Sequence, residues 1–249
     1  RDDVESRGLG DVYKRQTRNT VLYNLVFIVL GAVLAISVAI ILNEICSRRA
    51  KQVYQTFILI PFLISMVVVS YLVFAFLSNG SGFINKTILP ALGKEPVSWY
   101  SEPKYWPFIL ILVNAWKTVG YNCILYYATI CGIDHSLYEA AFMDGASRWQ
   151  RIIYITLPCL KSTIIILTLM NLGNIFRSDF GLFYQVPMNS GPLQNVTSTI
   201  DTYVYRGLMQ TNNIGMSSAA GVYQSVVGFV LVISANLIVR RLDKSSALF

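Results

Sequence analysis

Polar side chains interrupt an apolar segment near the middle of the chain. Asn114, Lys117 and Tyr121 follow one another at helical spacing, so on a helix they could share one face. Amides, an ammonium group and aromatic rings suit a sugar, whose hydroxyls need hydrogen bonds while its C–H faces stack on rings. The alternative is that these residues bond their helix to a neighbouring helix. Three more amides complete the candidate path: Asn122, Asn171 and Asn174.

Catalytic and nucleotide-binding patterns are missing from the sequence. His135 is the only histidine, and the four cysteines form no C-x-x-C pair, so no Ser/His/Asp set and no metal-ligand spacing occurs. No G-x-x-x-x-G-K-[ST] sequence occurs either, so the chain does not bind ATP through a P-loop. We therefore expect a chain that is not an enzyme and holds no cofactor or metal.

The composition indicates an integral membrane protein. Of the 249 residues, 54% are hydrophobic and 13% charged, whereas about a quarter are charged in a soluble domain. The net charge of +7 comes from basic residues spread over short loops, as expected beside membrane spans. We therefore predict contact with membrane lipid and no binding of nucleic acid.

Five apolar segments are long enough, or nearly so, to cross a bilayer. Because backbone groups in lipid must pair internally, we predict that all five are helices and that the fold is all-α. The shortest is segment D, whose Asn171 and Asn174 favour a place inside a bundle. The segments are 20–44 (A), 56–77 (B), 105–130 (C), 160–176 (D) and 216–239 (E).

Basic residues set the predicted orientation. They cluster after segment A, between C and D, and after E, which are on one side of a five-span zigzag. That side is therefore predicted to be cytoplasmic, and the loops 78–104 and 177–217 external. The residues are Arg48, Arg49, Lys51, Arg148, Arg151, Lys161, Arg240, Arg241 and Lys244.

The first sixteen residues, RDDVESRGLGDVYKRQ, differ from everything that follows. They show no apolar periodicity and no signal-peptide core, and they resemble translated sequencing-adapter read-through. The zigzag also leaves this basic start outside, against the positive-inside rule. We therefore predict a non-native extension over 1–16 and a six-span protein without its first span; a natural tail is the alternative.

Between segments C and D lies a polar stretch, residues 132–158, which we call the elbow. Ser136 with Glu139, and Ser147 with Gln150, have the spacing of capping boxes. Gly145 can end the first helix in a left-handed conformation. We predict two short helices around a sharp turn, closed by a proline before segment D. The proline is Pro158, and the predicted exposed apolar side chains are Leu137, Ala141, Phe142 and Trp149.

A rigid amphipathic elbow can dock on a protein partner or lie on lipid headgroups. Its sequence resembles the EAA loop of binding-protein-dependent ABC importer permeases, in which EAA is followed after three residues by G and then by I-x-L-P. Here the matching residues are Glu139, Ala140, Ala141, Gly145, Ile155, Leu157 and Pro158. In that family this loop is the coupling helix that sits in a cleft of the ATP-hydrolysing subunit. The resemblance therefore implies coupling residues Glu139, Ala140, Ala141, Asp144, Gly145, Arg148 and Pro158.

The resemblance covers nearly all of residues 17–249 and is greatest to the carbohydrate-uptake branch. It implies the type I importer fold, a permease domain over 17–249, and a multi-pass location in the bacterial inner membrane. It also implies an ATPase dimer, a second and different permease subunit, and an extracytoplasmic sugar-binding protein as partners. The additional matches are Asn19-Thr20, Leu42-Asn43-Glu44, Gln55 with Pro61, Trp116 to Gly120, Asp179 to Phe183, and Asp201 to Arg206.

Two other transport functions are alternatives. An ABC permease for a solute other than a sugar would share the elbow. A secondary transporter would use acidic residues inside its spans to couple ions, and the central parts of the five segments contain none. The predicted function is therefore import of a sugar or oligosaccharide, driven by ATP hydrolysis on a separate chain.

The predicted extension is testable on DNA. If residues 1–16 are read-through, sequencing of the intact locus should replace them with codons for one more apolar span. A start codon directly upstream of Arg1, with no further span, would contradict the prediction.

Overall fold

The computed structural model describes the backbone of residues 2–209 and 214–242, and the side chains of 14–209, 214–215 and 217–241. Across this part of the chain the regular structure is helical. The α-helices are α1 (Asp2–Glu44), α2 (Arg48–Leu63), α3 (Met66–Leu77), α4 (Leu89–Ala91), α5 (Trp106–Cys131), α6 (His135–Met143), α7 (Arg148–Arg151), α8 (Leu157–Gly173), α9 (Gln194–Thr197), α10 (Ile200–Met209) and α11 (Ile214–Leu242). Wider π-turns cover Ile84–Ile88, Ile152–Thr156 and Gly181–Gln185, and 3₁₀ turns cover Trp99–Ser101, Pro103–Tyr105 and Gly191–Leu193.

Within these ranges four helical stretches are long and apolar enough to cross a membrane, and five if α2 and α3 count as one broken span. The prediction of an all-α, multi-span protein is therefore confirmed. The four stretches contain segments A and C and most of D and E: they are Lys14–Glu44, Pro103–Cys131, Arg148–Gly173 and Ser217–Arg241.

Segment B is not one helix, and that prediction is wrong. Helix α2 ends at Leu63 and α3 begins at Met66, with a sharp bend between them. Pro61 lies in the last turn of α2, where its missing N–H and its ring weaken the helix. Ser65 then caps α3, because its hydroxyl accepts a hydrogen bond from the N–H of Val68 at 3.4 Å.

Segment D differs from its predicted bounds at both ends. The helical path runs without a break from Arg148 to Gly173, so the second arm of the elbow continues into the span. Pro158 therefore does not close a separate unit, contrary to the prediction. Asn174, predicted inside the span, lies in the turn that follows α8.

The helix passes Pro158 by widening before it. The N–H of Leu157 bonds to the carbonyl of Ile152, five residues back, which makes room for the proline ring and replaces a lost hydrogen bond. The other two π-turns stand in the same relation to Pro90 and Pro187. The sequence pattern behind each π-turn is thus a proline two residues after it.

Two compact units can be described separately. The first comprises Arg1–Phe27, Ile64–Asn114 and Asn174–Gly228. Its core is aromatic and aliphatic, with the Tyr23 and Phe183 rings meeting edge to face at 4.9 Å between centroids. Its buried members are Tyr23, Val69, Trp106, Leu110, Val113, Leu182, Phe183, Val186 and Leu193.

Polar side chains of α1 fix the long loop of this first unit. Asn24 donates to the carbonyls of Ile175 and Arg177, both at 2.8 Å. The hydroxyl of Thr20 accepts from the N–H of Ile200 at 3.0 Å, at the start of α10. Because these backbone groups would otherwise lack partners, α1 decides where the loop between α8 and α10 runs.

The second unit comprises Ile28–Leu63, Ala115–Gly173 and Phe229–Phe249. In its core, Ala35 and Ala39 of α1 are buried together with residues of α5. Gly120 of α5 lies against α2, and a Cβ there would overlap the carbonyl oxygen of Ile58. The buried members of this core are Ala35, Ala39, Leu42, Cys123, Tyr126, Ile130 and Leu160.

The predicted boundary at residue 16 has no break in the backbone. Helix α1 begins at Asp2 and continues through the boundary. Gln16 is buried, and Arg15 donates to the side-chain oxygen of Asn195 at 2.8 Å. The side chains of residues 1–13 lie outside the described residues, and the non-native extension stays a prediction. Lys244, which is predicted to be cytoplasmic, also lies outside the described residues.

The α5–α2 contact generates a stability prediction. Gly120→Ala should lower the unfolding free energy of the solubilised permease by about 1–3 kcal/mol, because two packed backbones must separate. Gly31→Ala in α1 is the matched control, since no atom lies within 4 Å of its added Cβ. Equal thermal unfolding midpoints for the two variants would contradict the close contact.

Candidate coupling elbow and transport path

The first arm of the elbow is α6, and its cap differs from the predicted one. Asp134 is the N-cap, and its carboxylate accepts from the N–H of Ser136 at 2.9 Å. This hydrogen bond holds the pKa of Asp134 below its usual value. Since the helix starts at His135, Ser136 already lies inside it, and the predicted Ser136–Glu139 capping box is wrong. Glu139 is instead exposed.

The turn of the elbow follows the prediction for Gly145. This residue has a φ of +76°, in the left-handed region. The N–H of Ala146 bonds to the carbonyl of Ala141 at 2.9 Å and that of Gly145 to the carbonyl of Phe142 at 3.0 Å. This pair of bonds is a Schellman motif, which uses glycine because a side chain disfavours the conformation.

The second arm begins with the predicted capping box. The Ser147 hydroxyl accepts from the N–H of Gln150 at 3.4 Å, and the Gln150 side chain accepts from the N–H of Ser147 at 2.7 Å. The two arms are also tied by the hydroxyls of Tyr138 and Thr156, which lie 2.9 Å apart. The elbow is therefore held by hydrogen bonds at its start, its turn and between its arms.

Large apolar side chains of the elbow point away from the described chain. Phe142, Met143 and Trp149 expose 67%, 83% and 75% of their surfaces. Leu137 is also exposed as predicted, whereas Ala141 is half-buried. A groove of about 420 Å³ between the arms is lined by His135, Tyr138, Glu139, Phe142, Met143 and Arg151.

Charged groups accompany this apolar surface. Glu139 and Arg151 both line the groove. The Nε of Arg151 is buried and has no hydrogen-bond partner among the described residues. The other predicted coupling residues are exposed: Ala140, Asp144, Gly145, Arg148 and Pro158. An exposed apolar surface with charges at its edge is the usual composition of a protein-binding site.

Two of the candidate path residues, Lys117 and Tyr121, contact the C-terminal part of α2. Lys117 donates through Nζ to the carbonyls of Pro61 at 3.4 Å and Phe62 at 3.1 Å, at the C-terminal end of α2. The Phe62 ring stacks on Tyr121 at 4.6 Å between centroids. A cation at the last carbonyl groups of a helix donates to acceptors that have no partner within the helix, and it interacts favourably with the negative end of the helix dipole. This geometry favours the helix-bonding interpretation of Lys117.

The amide residues of the candidate path lie on α5, on α8 and in the turn after α8. Asn114 and Asn122 are half-buried on α5, three residues before and five residues after Lys117. Asn171 is exposed near the end of α8, and Asn174 is exposed in the turn after it. Sequence reasoning missed Phe62, for which the adjoining Pro61 was the available signal, since a proline often marks a helix end.

The fold and the elbow together define a class: a polytopic membrane permease subunit of the ABC importer type. Residues 28–244 match the family described as the binding-protein-dependent transport system inner membrane component. The chain belongs to this family. It is therefore an inner-membrane protein, and the resemblance inferred from the EAA pattern is confirmed.

Two named relatives are similar to most of this chain. The chain is 33% identical to protein LplB of Bacillus subtilis, covering 92% of this chain and 71% of LplB. It is 34% identical to YteP of the same organism, a polygalacturonan/rhamnogalacturonan transport system permease protein, over 83% of this chain and 63% of YteP. The chain thus spans less than two thirds of the length of YteP.

A solved structure has the same fold. A chain of the bacterial alginate ABC transporter, crystallised with an alginate pentasaccharide-bound periplasmic protein, superposes with a TM-score of 0.86 at 34% identity. The match covers 92% of this chain and 79% of that one. The type I importer permease fold is therefore confirmed.

Replacing Lys117 separates the two roles considered for it. Lys117→Met should destabilise the solubilised permease by about 1.5–3 kcal/mol, because the carbonyls at the end of α2 lose a charged donor. Lys117→Arg, which keeps the donors, should retain most of the stability. Unchanged thermal stability of Lys117→Met with lost sugar uptake would favour the substrate role instead.

Proposed function

We propose that this chain is the permease subunit of an ATP-driven importer that moves an oligosaccharide into the cytoplasm. The elbow is the part that couples it to a separate ATPase subunit. The observation that carries the proposal is the elbow itself, a fixed turn whose apolar side chains are exposed beside charged groups. Its three points of attachment allow it to transmit a displacement without deforming.

The continuity of the second arm with a span supports this coupling. Since the helical path runs unbroken from Arg148 to Gly173, a force on the elbow acts directly on a membrane helix. Two separate short helices, as the sequence predicted, would have dissipated such a force at Pro158. The resemblance to binding-protein-dependent importer permeases implies that this partner is a separate ATPase chain.

Charge complementarity supports a protein partner over a lipid surface. Glu139 and Asp144 are exposed acids on the elbow, and acids are repelled by anionic headgroups on the cytoplasmic leaflet. Since Asp134 caps α6, the carboxylate of Glu139 can pair with a basic residue of the ATPase. Arg151 can donate hydrogen bonds to an acidic side chain of that partner in the groove.

The substrate class follows from the relatives. YteP and the alginate transporter are named for polysaccharide or oligosaccharide transport, and we extend that class to this chain. The transporter would then also contain a second permease subunit, an ATPase dimer and an extracytoplasmic sugar-binding protein. Asn114, Asn122, Asn171 and Asn174 are the remaining candidates for contact with sugar hydroxyls.

A pair of glycines tests the coupling. Gly145→Asp should leave membrane insertion normal, weaken association with the ATPase and abolish transport-coupled hydrolysis, because the strained turn no longer fits its partner. Gly93→Asp is the matched control: Gly93 also has a positive φ (+66°) and open space around it, but lies in a predicted external loop. Both substitutions introduce the same left-handed penalty of about 1–2 kcal/mol.

The assembled importer is measured by ATPase pull-down and by oligosaccharide-stimulated hydrolysis in proteoliposomes. Loss in Gly145→Asp with retention in Gly93→Asp supports coupling through the elbow. Wild-type pull-down and hydrolysis in Gly145→Asp would remove the elbow from the coupling interface. Altered membrane association without any change in ATPase binding would point to lipid contact instead.

A further inference from the structure

Three helix ends in the described chain have the same hydrogen-bond pattern, but one lacks glycine. At Gly145 and Gly93 the left-handed position is occupied by the expected residue. At the third, the N–H of Met188 bonds to the carbonyl of Gln185 at 2.9 Å and that of Asn189 to the carbonyl of Tyr184 at 3.0 Å. Methionine thus occupies a position that favours glycine.

The strain in this turn extends over two residues. Met188 and Asn189 have φ values of 52° and 48°, and among the described residues they are the non-glycine positions with positive φ. The N–H of Ser190 also bonds to the carbonyl of Pro187 at 3.0 Å. Positive φ at both central residues is typical of a type I′ turn, which normally takes Asn-Gly. Backbone conformations of this kind persist only when surrounding groups hold them.

Arg206 of α10 supplies one of the groups that hold the turn. Its Nη2 donates to the Asn189 side-chain oxygen at 2.9 Å, and its Nη1 donates to the Ser198 hydroxyl at 2.9 Å. From the other side, the Ser190 hydroxyl donates to the carbonyl of Tyr100 at 2.8 Å. The turn is therefore fixed to two other segments of the first unit.

The surroundings of Arg206 commit it to this role. Its guanidinium lies over the Tyr184 ring, 5.8 Å from the centroid, and pairs with no carboxylate within the described residues. Burial lowers the pKa of Arg206, as expected for a cation removed from water without an acidic partner. Tyr184 in turn packs with Phe180 and Tyr205. The charge thus organises neutral groups around the turn.

We propose that Arg206 is a positioning residue that holds the Pro187–Ser190 turn rigid, so that the turn forms part of the surface on which the sugar-loaded binding protein docks. The inference rests on the proposed function. The turn lies in the predicted external loop 177–217, and Met188 at its centre exposes 37% of its surface. A turn that is already ordered in the free permease loses less conformational entropy when the binding protein docks, and this favours association.

Glycine rescue distinguishes positioning from general support of the fold. Arg206→Met removes the donors and keeps a long apolar side chain. Arg206→Met combined with Met188→Gly lets the turn keep its left-handed geometry without the arginine. Lys94→Met is the control for loss of one external positive charge, since Lys94 is exposed.

The full chain in the assembled importer is used for two measurements: amide hydrogen exchange of residues 184–190, and ATP hydrolysis against the concentration of sugar-loaded binding protein. In Arg206→Met, exchange and the half-saturating concentration should each rise about tenfold, the effect of losing a charged hydrogen bond. The maximal rate should be unchanged. The double variant should return both values towards wild type, and Lys94→Met should change neither.

Unchanged exchange in Arg206→Met, or no rescue by glycine, would overturn the inference. A lowered maximal rate at an unchanged half-saturating concentration would do the same. If Arg206→Met does not accumulate, Asn189→Ala removes the same hydrogen bond and should give the same rise in both values. A wild-type importer that no oligosaccharide-loaded binding protein stimulates would reject the proposed function, while hydrogen exchange still decides the role of Arg206.

Discussion

Backbone N–H and C=O groups in hydrocarbon have no water to bond with, so each must find a hydrogen-bond partner within the protein. This requirement determines where the helices of this chain bend, widen and end. At the break in segment B, Ser65 accepts from the start of α3 and Lys117 donates to the end of α2. At Pro158 the backbone pairs again through a π-turn. Each irregularity therefore has a local hydrogen-bond partner, and one of these partners, Lys117, is a residue whose place in the sequence makes it a candidate for the sugar path.

Backbone groups in the loops also need hydrogen-bond partners where they are buried. Asn24 and Thr20 of α1 are polar residues near the start of an apolar helix, and they bond backbone groups between α8 and α10. The two ends of the loop are thus held from α1, and Arg206 of α10 holds its middle at Asn189. A transporter needs such order, since a loop that shifts with each encounter would give its partner no constant surface.

At the elbow, the helix that continues unbroken past Pro158 joins the elbow directly to a membrane span. The predicted elbow was an independent pair of short helices, whereas in the structure its second arm is the beginning of a membrane span. The Schellman turn at Gly145 and the Tyr138–Thr156 contact fix the first arm to the second. In the proposed coupling, the surface that docks on the ATPase and the helix that moves therefore belong to one rigid element.

The sequence alone determined the class of this protein, because composition, apolar segment length and the EAA spacing depend on residues close together in the chain. It also determined the Ser147–Gln150 cap and the left-handed Gly145, since both are local hydrogen-bond problems. The tertiary structure decided the rest. The helix ends near Pro61 but continues through Pro158, and the difference depends on the neighbouring groups. At Pro61, Lys117 of another helix donates to the carbonyl groups at the end of α2. At Pro158, a π-turn supplies the backbone hydrogen bond instead. Likewise, Met188 and Arg206 stand eighteen residues apart in sequence, and only packing places the arginine where a methionine can adopt a conformation that favours glycine.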